Sequence, residues 1–147
     1  MKNIEVEGAN GQLHTNYEGK AQAAADVLLK EGYDFVYVHV EAPDEMGHQG
    51  SVERKVQAIE YLDQRLIVHL KEALDTSGED YRMMILPDHP TPICVRTHTS
   101  DPIPYLLYDS RKAFAGSAGV YNEKAAQASG IEVMYGYELI DKLFEEK

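Results

Sequence analysis

Asp44 and His48 stand four positions apart in VHVEAPDEMGHQG, residues 38–50, while Asp88 and His89 are adjacent in LPDHPTP, residues 86–92. His98 follows in the same downstream loop. Carboxylate and imidazole groups together can hold a divalent cation, and this mixture suits zinc, manganese or iron better than calcium. The spacing of Asp44 and His48 lets one helical turn, or a tight loop, aim both at one ion. Adjacent side chains diverge, so Asp88 and His89 need not serve the same metal in the same way. Pro43, Gly47 and Gly50 punctuate the first stretch, which solubility alone would not require.

Plainer roles compete for each residue. A single Asp-x-x-x-His pair has little specificity, and Asp-His-Pro can be an Asx-turn in which the aspartate caps backbone groups. His39 lies within an apolar run and reads as structural or as a support to a ligand. His69, Glu60 and Asp63 fall on a long helical pattern, where solvent-facing roles are the default. His14 sits in a loop without an assigned role.

Alternating helix and strand patterns must position these groups. Tyr17–Glu31 is helix-like, with Ala21, Ala24, Ala25, Leu28 and Leu29 near one face, Asn16 as its cap and Gly32 as its stop. YDFVYVHV, residues 33–40, is nearly all apolar, as expected of a strand covered on both faces. A long stripe of Val52, Val56, Ile59, Leu62, Leu66, Leu70 and Leu74 predicts one extended helix opened by Ser51, with Arg54 where a capping-box acid would stand. YRMMILP (81–87) and IPYLLYD (103–109) predict further strands, and Ile4–Val6 a short one. Helices over Glu123–Ala128 and Tyr137–Glu145 finish the chain. The pattern predicts an α/β fold with a mostly parallel sheet, because the long helix suits a parallel crossover. Ligands gather at the carboxyl ends of strands in such sheets, and both polar clusters follow predicted strands. The proline-rich loop from Asp88 to Pro102 is long enough to suggest function.

The chain has 147 residues, 44% hydrophobic and 27% charged, which suits a single globular domain. Its formal net charge of −11 argues against sequence-independent binding to nucleic acid or to anionic membranes. A phosphorylated substrate remains compatible, since bound cations invert the local field. Cys94 is the sole cysteine, so no internal disulfide forms and a reducing compartment is comfortable. The opening MKNIEVEGANG lacks the apolar run of a secretory leader, and no apolar stretch approaches a membrane span. The expected location is cytoplasmic.

VHVEAPDEMGHQG, KVQAIEYLDQRL, LPDHPTP and RTHTSDPIPYLLYD resemble the C-terminal part of the archaeal-type cofactor-independent phosphoglycerate mutases of the alkaline phosphatase superfamily. GANGQLHTNYEGKA resembles the segment by which that family returns to its catalytic domain. The resemblance covers nearly the whole chain, with the metal motifs in family order. It implies a three-layer α/β/α, alkaline phosphatase-like fold, here incomplete, with residues 1–147 forming the C-terminal portion of the metal-binding catalytic domain. It also implies two divalent metal ions, manganese foremost, with zinc, magnesium or cobalt as alternatives. Asp44, His48 and His98 would hold one. Asp88 and His89 would hold the other, together with an upstream aspartate and a serine nucleophile.

The implied reaction interconverts 3-phosphoglycerate and 2-phosphoglycerate through a phosphoserine. Ser51, Ser77, Ser100, Ser110, Ser117 and Ser129 do not occupy the family's nucleophile motif, and most of the substrate domain is also missing. The expectation is therefore a fragment, inactive alone. The alternatives are a phosphohydrolase or other phosphotransfer enzyme of the superfamily, and a non-catalytic subunit that completes a split enzyme. The expected partners are a small phosphorylated substrate and an N-terminal chain, or a second copy covering the incomplete sheet.

Overall fold

The computed structural model of the protein describes residues 2–112, 116 and 119–145; Ser117 lies outside them. Two units divide the chain. The first runs to Glu79 and takes in Thr91–Thr99, and the second comprises Asp80–Pro90 and the chain from Ser100 onward.

In the first unit, the Asn16 side chain accepts a bond from the Gly19 backbone at 2.8 Å and starts α1, Tyr17–Leu29. Tyr17, Ala21, Ala24, Ala25 and Val27 form its buried face. Helix α2, Ala42–His48, begins with proline in its first turn, where the missing N–H costs nothing. Helix α3, Val52–Leu62, starts as expected at Ser51, whose hydroxyl accepts from the Arg54 backbone at 3.3 Å. A π-helical turn over Asp63–Ile67 leads into α4, Val68–Ser77.

That turn corrects the expectation of a single apolar stripe. An added residue rotates the succeeding helix by about 100°. Leu66, Leu70 and Leu74 are buried, whereas Val52, Val56 and Ile59 are exposed and α3 buries Ala58 instead. Helix α1 lies against the π turn and α4, while α2 lies against α3. Arg65, in the π turn, forks onto Glu18 of α1 at 2.6 and 2.9 Å and stands over the rings of Tyr17 and Tyr61. The core gathers Leu13, Tyr17, the α1 alanines, Met46, Ala58 and the α4 leucines.

In the second unit, β1 (Arg82–Ile85) and β2 (Leu106–Asp109) pair antiparallel, with Arg82 opposite Asp109 and Ile85 opposite Leu106. Arg82 donates to the Asp109 carboxylate at 2.9 Å, so one ion pair closes the end of the ladder. Tyr121 bolts the other end, donating to the Pro104 and Ile85 carbonyls at 3.1 and 3.3 Å. Helix α5, Glu123–Ala128, matches its expected range, and a 3₁₀ turn, Gly136–Glu138, precedes α6, Leu139–Phe144. Helix α6 lies against β1.

The architecture is α/β with an open, unclosed sheet, consistent with an incomplete alkaline phosphatase-like fold. Strand directions depart from the expected mostly parallel sheet, because the one ladder among the described residues is antiparallel. Residues 33–40 form no strand, nor do Ile4–Val6. A strand is defined by a paired neighbour, and Tyr33, Phe35 and Tyr37 are exposed rather than covered. No described helix is long and apolar enough to cross a membrane.

Candidate metal centre

Helix α2 spans barely two turns, with Asp44 in its first turn and His48 as its last residue. Both therefore project from one face. Two glycines let the rest of the site approach. A Cβ on Gly47 would lie 2.8 Å from the Thr91 carbonyl oxygen and 3.0 Å from Lys55 Nζ. Gly50 has φ +70°, and a Cβ there would run into the Arg96 guanidinium.

The segment Thr91–Thr99 supplies the other side, and its attachment starts at Thr91, which is only 4% exposed. Lys55 Nζ donates to the Thr91 carbonyl at 2.6 Å, and the Thr91 hydroxyl donates to Asp44 Oδ1. The Arg96 carbonyl meets His48 Nδ1 at 2.9 Å. A carbonyl oxygen only accepts, so Nδ1 carries the hydrogen, and in the neutral ring Nε2 keeps its lone pair.

His48 Nε2 lies 3.2 Å from His98 Nε2 and 3.3 Å from Asp44 Oδ2, and His98 Nε2 lies 3.5 Å from Asp44 Oδ1. One donor atom from each of the three residues falls within 4.8 Å of the others. Ligands held tetrahedrally at about 2.1 Å from a cation would be about 3.4 Å apart, so these separations fit a metal shell. The chemistry also fits: one carboxylate and two imidazoles leave coordination positions open. His48 and His98 keep 36% and 50% side-chain exposure, so a ligand can reach them.

Asp88 and His89 belong to the second unit, where they meet each other. His89 Nε2 is 3.4 Å from Asp88 Oδ2, and the His89 backbone N–H donates to Asp88 Oδ1 at 3.0 Å. That bond reaches only the adjacent residue; the Asx-turn considered for Asp-His-Pro does not form, because the N–H two positions on would be that of Pro90, which has none. Asp44, His48 and His98 are the one cluster of three metal-ligating residues found among the described residues.

The other histidines take local roles. His39 stacks on Tyr37 and faces Glu41 at 3.9 Å. His69 is exposed on α4 and bonds to the Gln64 carbonyl at 3.1 Å, and His14 lies beside Tyr61. Sequence reasoning did not single out Thr91, Lys55 or Arg96. The available signal was glycine: Gly47 and Gly50 punctuate the ligand stretch because neighbouring groups occupy the space their side chains would fill.

The family described as the metalloenzyme superfamily matches residues 1–134. The chain is 44% identical over its full length to the 2,3-bisphosphoglycerate-independent phosphoglycerate mutase of Methanosarcina barkeri, covering 36% of that protein. It is 41% identical over 97% of its length to the probable enzyme of that name from Geobacter sulfurreducens, covering 35% of it. The solved structure of the PH0037 protein from Pyrococcus horikoshii superposes with a TM-score of 0.81 at 28% identity, covering 98% of this chain and 43% of that one. The chain thus spans about a third of the length of the curated relatives it matches.

Proposed function

We infer that this chain, which belongs to the metalloenzyme superfamily, forms the C-terminal, metal-binding portion of a 2,3-bisphosphoglycerate-independent phosphoglycerate mutase. The observation that carries the reading is the convergence of Asp44, His48 and His98 from α2 and the 91–99 segment. These three would hold one divalent cation, with manganese the first candidate. Asp88 and His89 are offered as two donors to a second. When bound, the cations would supply positive charge that favours an ionised serine oxygen and offsets charge on the transferred phosphoryl group.

The chain's own groups bind and orient. Thr91 fixes the Asp44 carboxylate, the Arg96 carbonyl fixes the His48 ring, and the open side of His98 leaves room for substrate. Four serines have other work. Ser51 caps α3, Ser77 and Ser129 donate to helix carbonyls at 2.6 Å, and Ser110 accepts from the Tyr81 backbone at 2.9 Å. The likeness to these mutases is what supports a nucleophile from sequence outside the 147 residues, acting on 3- and 2-phosphoglycerate in the cytoplasm.

An enolase-coupled assay with mutase-free reagents tests the reading. The chain alone, with manganese, should give no turnover, and a separately expressed serine-bearing N-terminal segment should restore it. Turnover by the chain alone at roughly 1–10³ s⁻¹, lost in Asp88→Ala, would overturn the fragment reading. Phosphate release without isomerisation in the reconstituted protein would favour a phosphohydrolase.

A further inference from the structure

Arg96 is the only non-glycine residue with positive φ, at 59°, among those described. Arginine enters this left-handed region uncommonly, since its Cβ crowds the following carbonyl. Such a conformation persists where its surroundings over-determine it, and it can point to a functional constraint. Here three contacts impose it. The Arg96 backbone N–H donates to the Pro92 carbonyl at 2.8 Å, closing a turn that the Val95 N–H joins at 3.0 Å. The guanidinium lies over Gly50, where a Cβ would be 2.7 Å from Cζ and 3.0 Å from Nη2. The carbonyl oxygen faces His48 Nδ1 at 2.9 Å.

We propose that Arg96 is a positioning residue for His48: its left-handed backbone, seated over Gly50, presents the carbonyl that holds the hydrogen on Nδ1 and leaves Nε2 as the donor atom. Neutral imidazole can carry its hydrogen on either nitrogen, and only the Nδ1–H form aims a lone pair at the cluster with His98 and Asp44. The side chain of Arg96 touches no ligand. Its part is to keep the backbone in place, and Gly50 is its seat. The consequence for metal binding rests on the proposed cation site, whereas the consequence for the His48 ring does not.

The two are separated by measuring each. Long-range ¹H–¹⁵N spectra of the metal-free chain, recorded above the ordinary histidine range near pH 6.5, report the tautomer. Calorimetric titration with Mn²⁺ reports affinity. In the unaltered chain His48 should be the Nδ1–H form. Arg96→Gly, which adopts positive φ freely, should keep that form and bind Mn²⁺ within about threefold of the unaltered chain. Arg96→Val, whose branched Cβ resists positive φ, should shift His48 towards Nε2–H and weaken binding by about tenfold or more. Arg96→Ala should shift both readouts the same way and by less, which covers a Val variant that does not fold. A valine or alanine variant retaining the Nδ1–H form would overturn the proposal. If the unaltered chain binds no Mn²⁺, the cation reading falls, and the tautomer in the variants still decides the role of Arg96.

Discussion

Nε2 of His48 and Nε2 of His98 face each other across 3.2 Å, although the residues are 50 positions apart. With the His48 hydrogen on Nδ1, the pair can share one hydrogen supplied by His98, or direct two lone pairs at a cation. The carboxylate of Asp44 closes the triangle and favours the cation. His48→Ala and His98→Ala should each weaken Mn²⁺ binding by at least about tenfold, measured by calorimetry. Circular dichroism should stay unchanged, because both rings are partly exposed.

Thr91→Val keeps the shape of a buried residue and removes the hydroxyl that donates to Asp44 Oδ1. Metal affinity should fall by roughly 10–100-fold, the usual cost of losing a partner behind a ligand. Stability in urea should fall by about 1 kcal/mol, the net worth of one hydrogen bond. An unchanged affinity would show that Asp44 needs no such support.

Gly47→Ala should destabilise the first unit by about 1–3 kcal/mol, a typical cost of overfilling a tight site. The added methyl would meet the Thr91 carbonyl and Lys55 Nζ together, and neither can retreat without breaking their mutual bond. The change is read as a lower urea midpoint. Metal affinity should fall with it, since Thr91 and α2 are forced apart.

The second unit carries a pH signature. The Arg111 guanidinium, with Arg82 on its other side, holds the Asp109 carboxyl well below the usual carboxylate range. The folded state therefore resists protonation that the unfolded chain accepts near pH 3.9. The resulting stability is present above that value and is lost as pH falls through the depressed native one. Asp109→Asn should flatten the acid limb of a urea-midpoint profile below about pH 4 and leave its slope near neutrality unchanged.

The candidate ligands were legible because the chemistry of a cation site is local in residue type. Asp44 and His48 announce a shared face by spacing, and His98 stands in a loop too long to be idle. Helix starts at Asn16 and Ser51 were legible for the same reason, since a cap is a short-range bond. The fate of Val52, Val56 and Ile59 was not. Their spacing continues that of Leu66 and Leu70, and only the π turn at Asp63–Ile67 separates the two faces. Residues 33–40 likewise have the composition of a covered strand, but pairing depends on a neighbour that composition does not specify. Arg96 was illegible because positive φ at an arginine arises from its surroundings rather than its own preference.

The chain path through the ligand cluster has a thermodynamic consequence. A cation bridging His48 and His98 would clip a loop of 50 residues, whose two ends otherwise wander independently in the unfolded ensemble. By the loop-closure relation used for covalent cross-links, joining those ends in the unfolded chain would cost about 4 kcal/mol, so the cation would bind the folded chain in preference. That loop contains Asp80–Pro90, which belongs to the other unit. Occupancy by metal and the folding of the first unit, which holds both ends of that loop, would be linked equilibria, each drawing the other forward by the same factor.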